Sequence, residues 1–188
     1  MQTKKFTVVD GIFSDRVLTL LEPYAKLLPT DKSSYNVWPD RSTRNKTLPE
    51  CFTCDVLGKD RTEILHELFE NPALPCYKQN WLKDADIAVQ KMPEGALIDQ
   101  HADRCLFSLT VFLSSVNGGY FVWWDDDGFM HTVEPVVNKA VFASYDDYVQ
   151  GAPHKVNPVE SGTRFTLQLF VFAKHNNTKR KDVVWETN

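Results

Sequence analysis

The sequence has no apolar run near the roughly 20 residues needed to cross a bilayer as a helix, so no membrane partner is expected. Residues Met1 to Val8 lack the charged, then apolar, then small pattern of a secretory signal, and a cytoplasmic protein is the expectation. Cysteine is sparse: Cys51, Cys54, Cys76 and Cys105 are the four in 188 residues. They demand no disulfide framework, and a reducing compartment keeps them as thiols. Cys51 and Cys54 form a C-x-x-C, but no second pair at finger-like spacing follows, so free thiols are favoured over a zinc or redox site. A large excess of charge is missing too, since a net −4 exerts no general pull on polyanions. Two local basic groups, Arg41, Arg44 and Lys46, then Lys174, Lys179, Arg180 and Lys181, read first as solvated loop and tail. They keep a nucleic-acid partner as the less favoured alternative. Repeats, low-complexity segments and a linker are also absent, so residues 1–188 are expected to form a single domain.

What is present is the composition of a globular protein: 43% hydrophobic and 24% charged residues, with five Trp, twelve Phe and six Tyr. Phe6-Thr-Val-Val9 reads as a short strand ended by Asp10-Gly11. Ser14 is placed to cap a helix with Val17, Leu18, Leu21, Tyr24 and Leu28 on a helical repeat, and Pro29 to stop it. Residues 30 to 59 are polar and loop-like around one or two short strands, the kind of long segment that often serves as a lid or binding loop. A second helix is predicted from about Lys59 to Asn71, with His66 as a surface or packing residue and Pro72 and Pro75 ending it. Beyond Trp81 the texture changes to short strand-like runs: 87–92, 96–101, 106–113, 120–124, 131–133, 139–142, 156–159 and 164–172. About eight such strands without an intervening helix indicate a mainly β fold, a sandwich or double-sheet jelly roll, with the N-terminal helices packed on one sheet.

Within this β region, Gly95-Ala-Leu-Ile-Asp-Gln-His101-Ala-Asp103 is the most specific stretch. Two residues is the strand repeat, so on an extended chain His101 and Asp103 project to the same side and can grip one ion. His154, at the mouth of a strand after Gly151-Ala-Pro153, is the best candidate for a third ligand. Two imidazoles and one carboxylate on one side of a metal leave its other side open, the arrangement of non-haem iron(II) oxygenases. Ten residues on, Arg164 opens the strand Arg-Phe-Thr-Leu-Gln-Leu-Phe170 among apolar neighbours. A buried guanidinium requires an anionic partner, and its fork matches a carboxylate. Thr166 faces the same way two residues later, so the strand reads as one wall of a pocket for a dicarboxylate.

The combination His101-x-Asp103, Gly118-Gly119-Tyr120-Phe121, Pro135 before an apolar strand, and His154-Lys-Val-Asn-Pro-Val159 with Gly162-Thr-Arg164-Phe-Thr166 closely resembles the Fe(II)/2-oxoglutarate-dependent oxygenases, in particular their compact prolyl-4-hydroxylase-like branch. The likeness spans roughly residues 86–173, with a looser echo in 6–28. It implies a double-stranded β-helix core over 85–174, helical and loop support in 1–84, and a basic tail at 175–188. It further implies that His101, Asp103 and His154 bind iron, that Arg164 pairs with the distal carboxylate of 2-oxoglutarate, and that Thr166 assists. O2 and ascorbate, as reductant, are the further cofactors expected. The implied reaction couples oxidative decarboxylation to succinate and CO2 with hydroxylation of an amino-acid side chain, prolyl among the candidates, in a protein or peptide.

Family members often carry a tyrosine in the strand before the metal motif and another in the strand after it, where this sequence has Met92 and Phe112. Gln90 and Lys91 are the candidates to replace them, and strand alternation alone does not choose between the two. For substrate contacts the candidates are Arg104, Trp123, Trp124, Tyr145 and Tyr148, and the two adjacent tryptophans must face opposite sides of their strand. Asp125-Asp126-Asp127-Gly128 reads as a solvated turn, and His131 falls in the wrong strand phase for a ligand. Two alternatives stand beside the hydroxylase reading: the same chemistry on a nucleobase or small metabolite, and a jelly-roll module that holds another divalent ion without being an oxygenase.

Overall fold

The strand that organises the molecule alternates in character: Arg164, Thr166, Gln168 and Phe170 on one face, Phe165, Leu167, Leu169 and Val171 on the other. A strand with both faces covered is stable only at the middle of a two-layer packing. In the computed structural model, which describes residues 6–27, 36–37, 51–74, 85–103, 105–144 and 153–172, that is its place.

In chain order the elements are β1 (Thr7–Asp10), α1 (Asp15–Leu27), β2 (Asn36–Val37), β3 (Phe52–Asp55), α2 (Gly58–Glu70), β4 (Asp86–Pro93), β5 (Ile98–His101), β6 (Phe107–Phe112), β7 (Asn117–Gly118), β8 (Phe121–Trp124), β9 (Met130–Val133), β10 (Lys139–Ser144), β11 (His154–Val156), β12 (Val159–Ser161) and β13 (Thr163–Val171). Seven strands form one sheet in the order β1-β10-β6-β13-β4-β3-β2, four form a second in the order β5-β11-β8-β9, and β12 pairs with β7. Neighbouring strands are antiparallel throughout.

The helices cover the outer face of the large sheet. Val17 and Leu21 of α1 and Ile64, Leu65 and Leu68 of α2 pack with Val89, Leu109 and Leu167 in one core. A second core, with Phe6, Phe112, Phe121, Trp123, Val141 and Phe170, lies between the two sheets. Asp15 sits in the first turn of α1, where its charge opposes the positive end of the helix. The start of α1 is tied to the turn before β10, because Asn138 accepts from the amide of Phe13 at 2.8 Å and donates to its carbonyl at 2.7 Å.

The expected strand over 156–159 is in fact two, β11 and β12, divided at Asn157-Pro158. Proline has no N–H to continue a ladder, so the chain leaves one sheet there and pairs with β7 instead. The amino-terminal third also does more than support the core: β1 extends the large sheet beside β10, and β3 extends it beside β4. Among the described residues no helix is long and apolar enough to cross a membrane.

Candidate metal centre

His101 ends β5 and His154 begins β11, and the two are partners in the ladder between these strands. Asp103 lies two residues past His101, beyond the end of β5, and its side chain is buried. One ligand atom from each of His101, Asp103 and His154 lies within 4.8 Å of the others. Each carboxylate oxygen faces a different imidazole: His101 Nε2 is 3.6 Å from Asp103 Oδ1, and His154 Nε2 is 3.4 Å from Asp103 Oδ2.

The protonation of His101 follows from its neighbour. Its Nδ1 is 2.7 Å from the carbonyl oxygen of Asp99, which only accepts, so Nδ1 carries the proton. In the neutral ring Nε2 then turns a lone pair toward the carboxylate of Asp103. Lone pair facing carboxylate is repulsive unless a cation stands between them, and this polarity is that of histidine ligands held by a backbone carbonyl. The ring of His154 is fixed by packing, stacked on Phe121 at 5.1 Å and met edge-on by Phe6 at 5.2 Å. Burial raises the pKa of Asp103, and the charge of His154 partly opposes this. A divalent cation would supply the counter-charge that burial removes. The donor set, two imidazoles and a carboxylate, fits iron(II) and also other first-row divalent ions.

Between the sheets lies the second unusual group. Arg164 is 1% exposed, and burial lowers its pKa to about 10, with the Cys51 thiol acting in the opposite direction. The two residues found at the usual tyrosine positions both touch it. Nη1 of Arg164 is 3.2 Å from Met92 Sδ, and the guanidinium carbon lies 5.1 Å from the centre of the Phe112 ring. Neither contact neutralises its charge. Nε and Nη2 of Arg164 and Oγ1 of Thr166 have no hydrogen-bond partner among the described residues. Buried, unpaired donors of this kind are costly, and together they fit a carboxylate. Arg164 lines the same narrow cleft as His101, Asp103 and His154, with Phe6, Ile98 and Val156 among its apolar walls.

The double glycine has a physical reason in this cleft. Gly119, at φ +64°, leaves room for the arginine: a Cβ there would stand 2.8 Å from Arg164 Cδ. Gly118, at φ +75°, passes so close to the neighbouring chain segment that a Cβ would meet the Pro158 carbonyl oxygen at 2.5 Å. Both positions need a residue without a side chain and with access to the left-handed region.

Of the two candidates to replace the tyrosines, Lys91 lies outward, its ammonium 6.0 Å from the Phe165 ring centre. Gln90 lies inward, fully buried and bonded to Gln168. Gln168 also lines the cleft, although it is not among the residues expected there from sequence. Its signal is the polar alternation along β13, which runs on from Arg164 and Thr166 to this position.

Trp123 shares the inner face of the small sheet, paired in the ladder with His154 and stacked on His131 at 5.0 Å. Trp124 points the opposite way, with the Lys155 ammonium 5.7 Å from its ring centre, so it forms no wall of this cleft. His131 is held by Asp125 at 2.9 Å and is not one of the three candidate ligands. Arg104, Tyr145 and Tyr148 lie outside the described residues, as do the basic groups at 41–46 and 174–181. Cys51, Cys54 and Cys105 are free thiols.

Two facing antiparallel sheets with a ligand cluster at one mouth form a double-stranded β-helix, the jelly roll of the 2-oxoglutarate/Fe(II) oxygenase structures that this chain resembles. A prolyl-4-hydroxylase from Pseudomonas putida aligns with a TM-score of 0.65 at 17% identity over 90% of this chain and 94% of that one. The viral collagen prolyl hydroxylase of Paramecium bursaria Chlorella virus-1, in its 2OG complex, aligns at 0.62 and 17% identity over 91% and 97%. A prolyl hydroxylase from Trichoplax adhaerens, in complex with a hypoxia inducible factor oxygen degradation domain peptide fragment, aligns at 0.64 and 14% identity over 90% and 84%. No family model and no curated protein matches the sequence. The likeness therefore lies in the fold, and the site must be argued from its own residues.

Proposed function

We propose that this protein is an Fe(II)- and 2-oxoglutarate-dependent oxygenase that hydroxylates an amino-acid side chain, with prolyl the first candidate, in a protein or peptide. The observation that carries this reading is a three-ligand cluster and a buried, unpaired arginine opening on one cleft. The cluster by itself would suit many divalent-ion sites, and the arginine by itself would suit many anions. A metal on His101, Asp103 and His154 with a carboxylate at Arg164 is what a chelating 2-oxo dicarboxylate requires.

In this reading the iron and the oxo acid, when bound, supply the oxidation, coupling release of succinate and CO2 to insertion of one oxygen atom into the substrate. The chain's own residues bind, orient and exclude water. His101 and His154 ligate through nitrogens whose ring planes are held by the Asp99 carbonyl and by Phe121 and Phe6. Asp103 contributes the negative charge. Arg164 and Thr166 receive the distal carboxylate, and the apolar pair Met92 and Phe112 shields that contact from water and so strengthens it. Trp123, the substrate candidate beside His154 in the ladder, is buried in the core between the sheets. The peptide class is supported by fold neighbours solved as prolyl hydroxylases, one of them with a peptide bound.

The test begins without oxygen. Adding Fe(II) and 2-oxoglutarate anaerobically should give the weak visible charge-transfer band of a chelated oxo acid. With air and ascorbate, succinate should form, and Asp103→Ala should abolish it while Arg164→Ala lowers it strongly. Absence of both the band and succinate would sink the oxygenase reading. A screen of proline-containing peptides for a mass gain of one oxygen tests the substrate class.

A further inference from the structure

The inward face of the large sheet carries more buried polar groups than Arg164 and Thr166 alone. Gln90 lies directly opposite Thr166 in the ladder between β4 and β13, and Gln168 is the next inward residue after Thr166. Gln90 and Gln168 are 0% and 6% exposed. Gln168 Nε2 donates to Gln90 Oε1 at 3.0 Å, and this bond leaves Gln90 Nε2, a donor, and Gln168 Oε1, an acceptor, without partners among the described residues. Gln90 Nε2 thus joins Arg164 Nε, Arg164 Nη2 and Thr166 Oγ1, also buried and also unpartnered. All four atoms are able to donate, and they come from facing or alternate positions on two neighbouring strands. A group that accepts several hydrogen bonds at once is their natural complement, and a carboxylate has about four lone-pair sites.

The geometry points to Gln90 as a further binding residue for the distal carboxylate of the oxo acid, with Gln168 as its positioning residue. The inference rests on the preceding reading that the cleft takes a 2-oxo dicarboxylate. An amide by itself is indifferent, since its oxygen would repel the carboxylate as strongly as its nitrogen attracts it. With Oε1 of Gln90 occupied by Gln168, the nitrogen of Gln90 is the end left for the ligand. This places a fixed donor at a position reached from the strand before the metal motif, in a site whose usual tyrosine places hold Met92 and Phe112.

The experiment is calorimetric titration of the full chain loaded with Zn(II), which permits binding without turnover. 2-Oxoglutarate is compared with pyruvate, a 2-oxo acid that lacks the distal carboxylate. Gln90→Leu should weaken 2-oxoglutarate about tenfold, the scale of one hydrogen bond to a charged group, while leaving zinc and pyruvate affinities within about twofold. Gln90→Glu should weaken it further, by setting a carboxylate against a carboxylate. Gln168→Leu should cost less than Gln90→Leu, because the freed amide can still turn its nitrogen to the ligand. If Gln90→Leu does not fold, Gln90→Met, closer to glutamine in length and shape, makes the same comparison. Unchanged 2-oxoglutarate affinity in Gln90→Leu, or an equal loss for pyruvate, overturns the assignment. The underlying reading is separately exposed: if Arg164→Ala also leaves 2-oxoglutarate affinity unchanged, it is the dicarboxylate site itself that fails.

Discussion

Burial raises the pKa of Asp103, against the opposing charge of His154. A carboxyl group whose folded-state pKa lies above its unfolded value stabilises the fold below the unfolded value, and that contribution is lost as pH rises through the folded one. The metal-free protein should therefore carry a penalty at neutral pH that a bound cation removes. Asp103→Asn keeps the shape and deletes the charge, so it should raise the Tm of the metal-free protein. The same variant should lose the rise in Tm that Zn(II) or Mn(II) gives the wild type. Differential scanning fluorimetry with and without metal reads both, and an Asn variant that is less stable yet still stabilised by metal would contradict this account of the site. Gly119 makes a second case at the same scale. In Gly119→Ala the new methyl group meets Arg164 Cδ at 2.8 Å and the residue must hold φ +64°. The arginine should be displaced, weakening 2-oxoglutarate by about tenfold or more while zinc affinity stays near the wild-type value, with the fold losing roughly 1–3 kcal/mol. Equal loss of both affinities would show that the damage is not confined to the arginine.

The two helices meet through a specific tie: the Tyr24 hydroxyl of α1 donates to Asp60 Oδ2 of α2 at 2.7 Å. Burial, followed by the Asp60 contact, raises the tyrosine pKa to about 12. Its stabilisation is fully present below pH 10, the unfolded value, and is lost as pH rises toward 12. Tyr24→Phe should cost about 1 kcal/mol in urea unfolding at pH 8, and the gap between wild type and variant should close across that alkaline window. No gap at pH 8 would mean the ring, and not the hydroxyl, holds the helices together. At this scale the helices themselves were legible from their periodicity, α1 and α2 falling within one residue of the expected starts at Ser14 and Lys59. The strands of the core were legible from their alternation, and the pairing of His101 with Asp103 from the same two-residue repeat. The sheet to which a strand belongs was not. β1 and β3 reach partners far along the chain, and nothing in four local residues encodes that choice. Nor did alternation show whether Gln90 or Lys91 faced inward, since the phase of β4 is set by the residues that β13 places opposite it.

The candidate ligands and the buried arginine belong to different layers of the molecule. His101 and His154 are carried by the small sheet, with Asp103 just past its edge strand, whereas Arg164 and Thr166 sit on the large one. A 2-oxo dicarboxylate that chelates the metal at one end and pairs with Arg164 at the other would tie the two sheets together. A ligand that binds only the folded state stabilises it by RT ln(1 + [L]/Kd), about 2.7 kcal/mol at a hundredfold excess over Kd. When one ligand completes the site of another, the second affinity rises and the two stabilisations exceed their sum. Zn(II) and 2-oxoglutarate together should therefore raise Tm by more than the two separate increments added. Pyruvate, which reaches the metal but not the arginine, should show much less of this excess, and Arg164→Ala should reduce it for 2-oxoglutarate to about the pyruvate level. Additive increments in the wild type would mean that metal and oxo acid bind independently, and that the two halves of the cleft do not form one site.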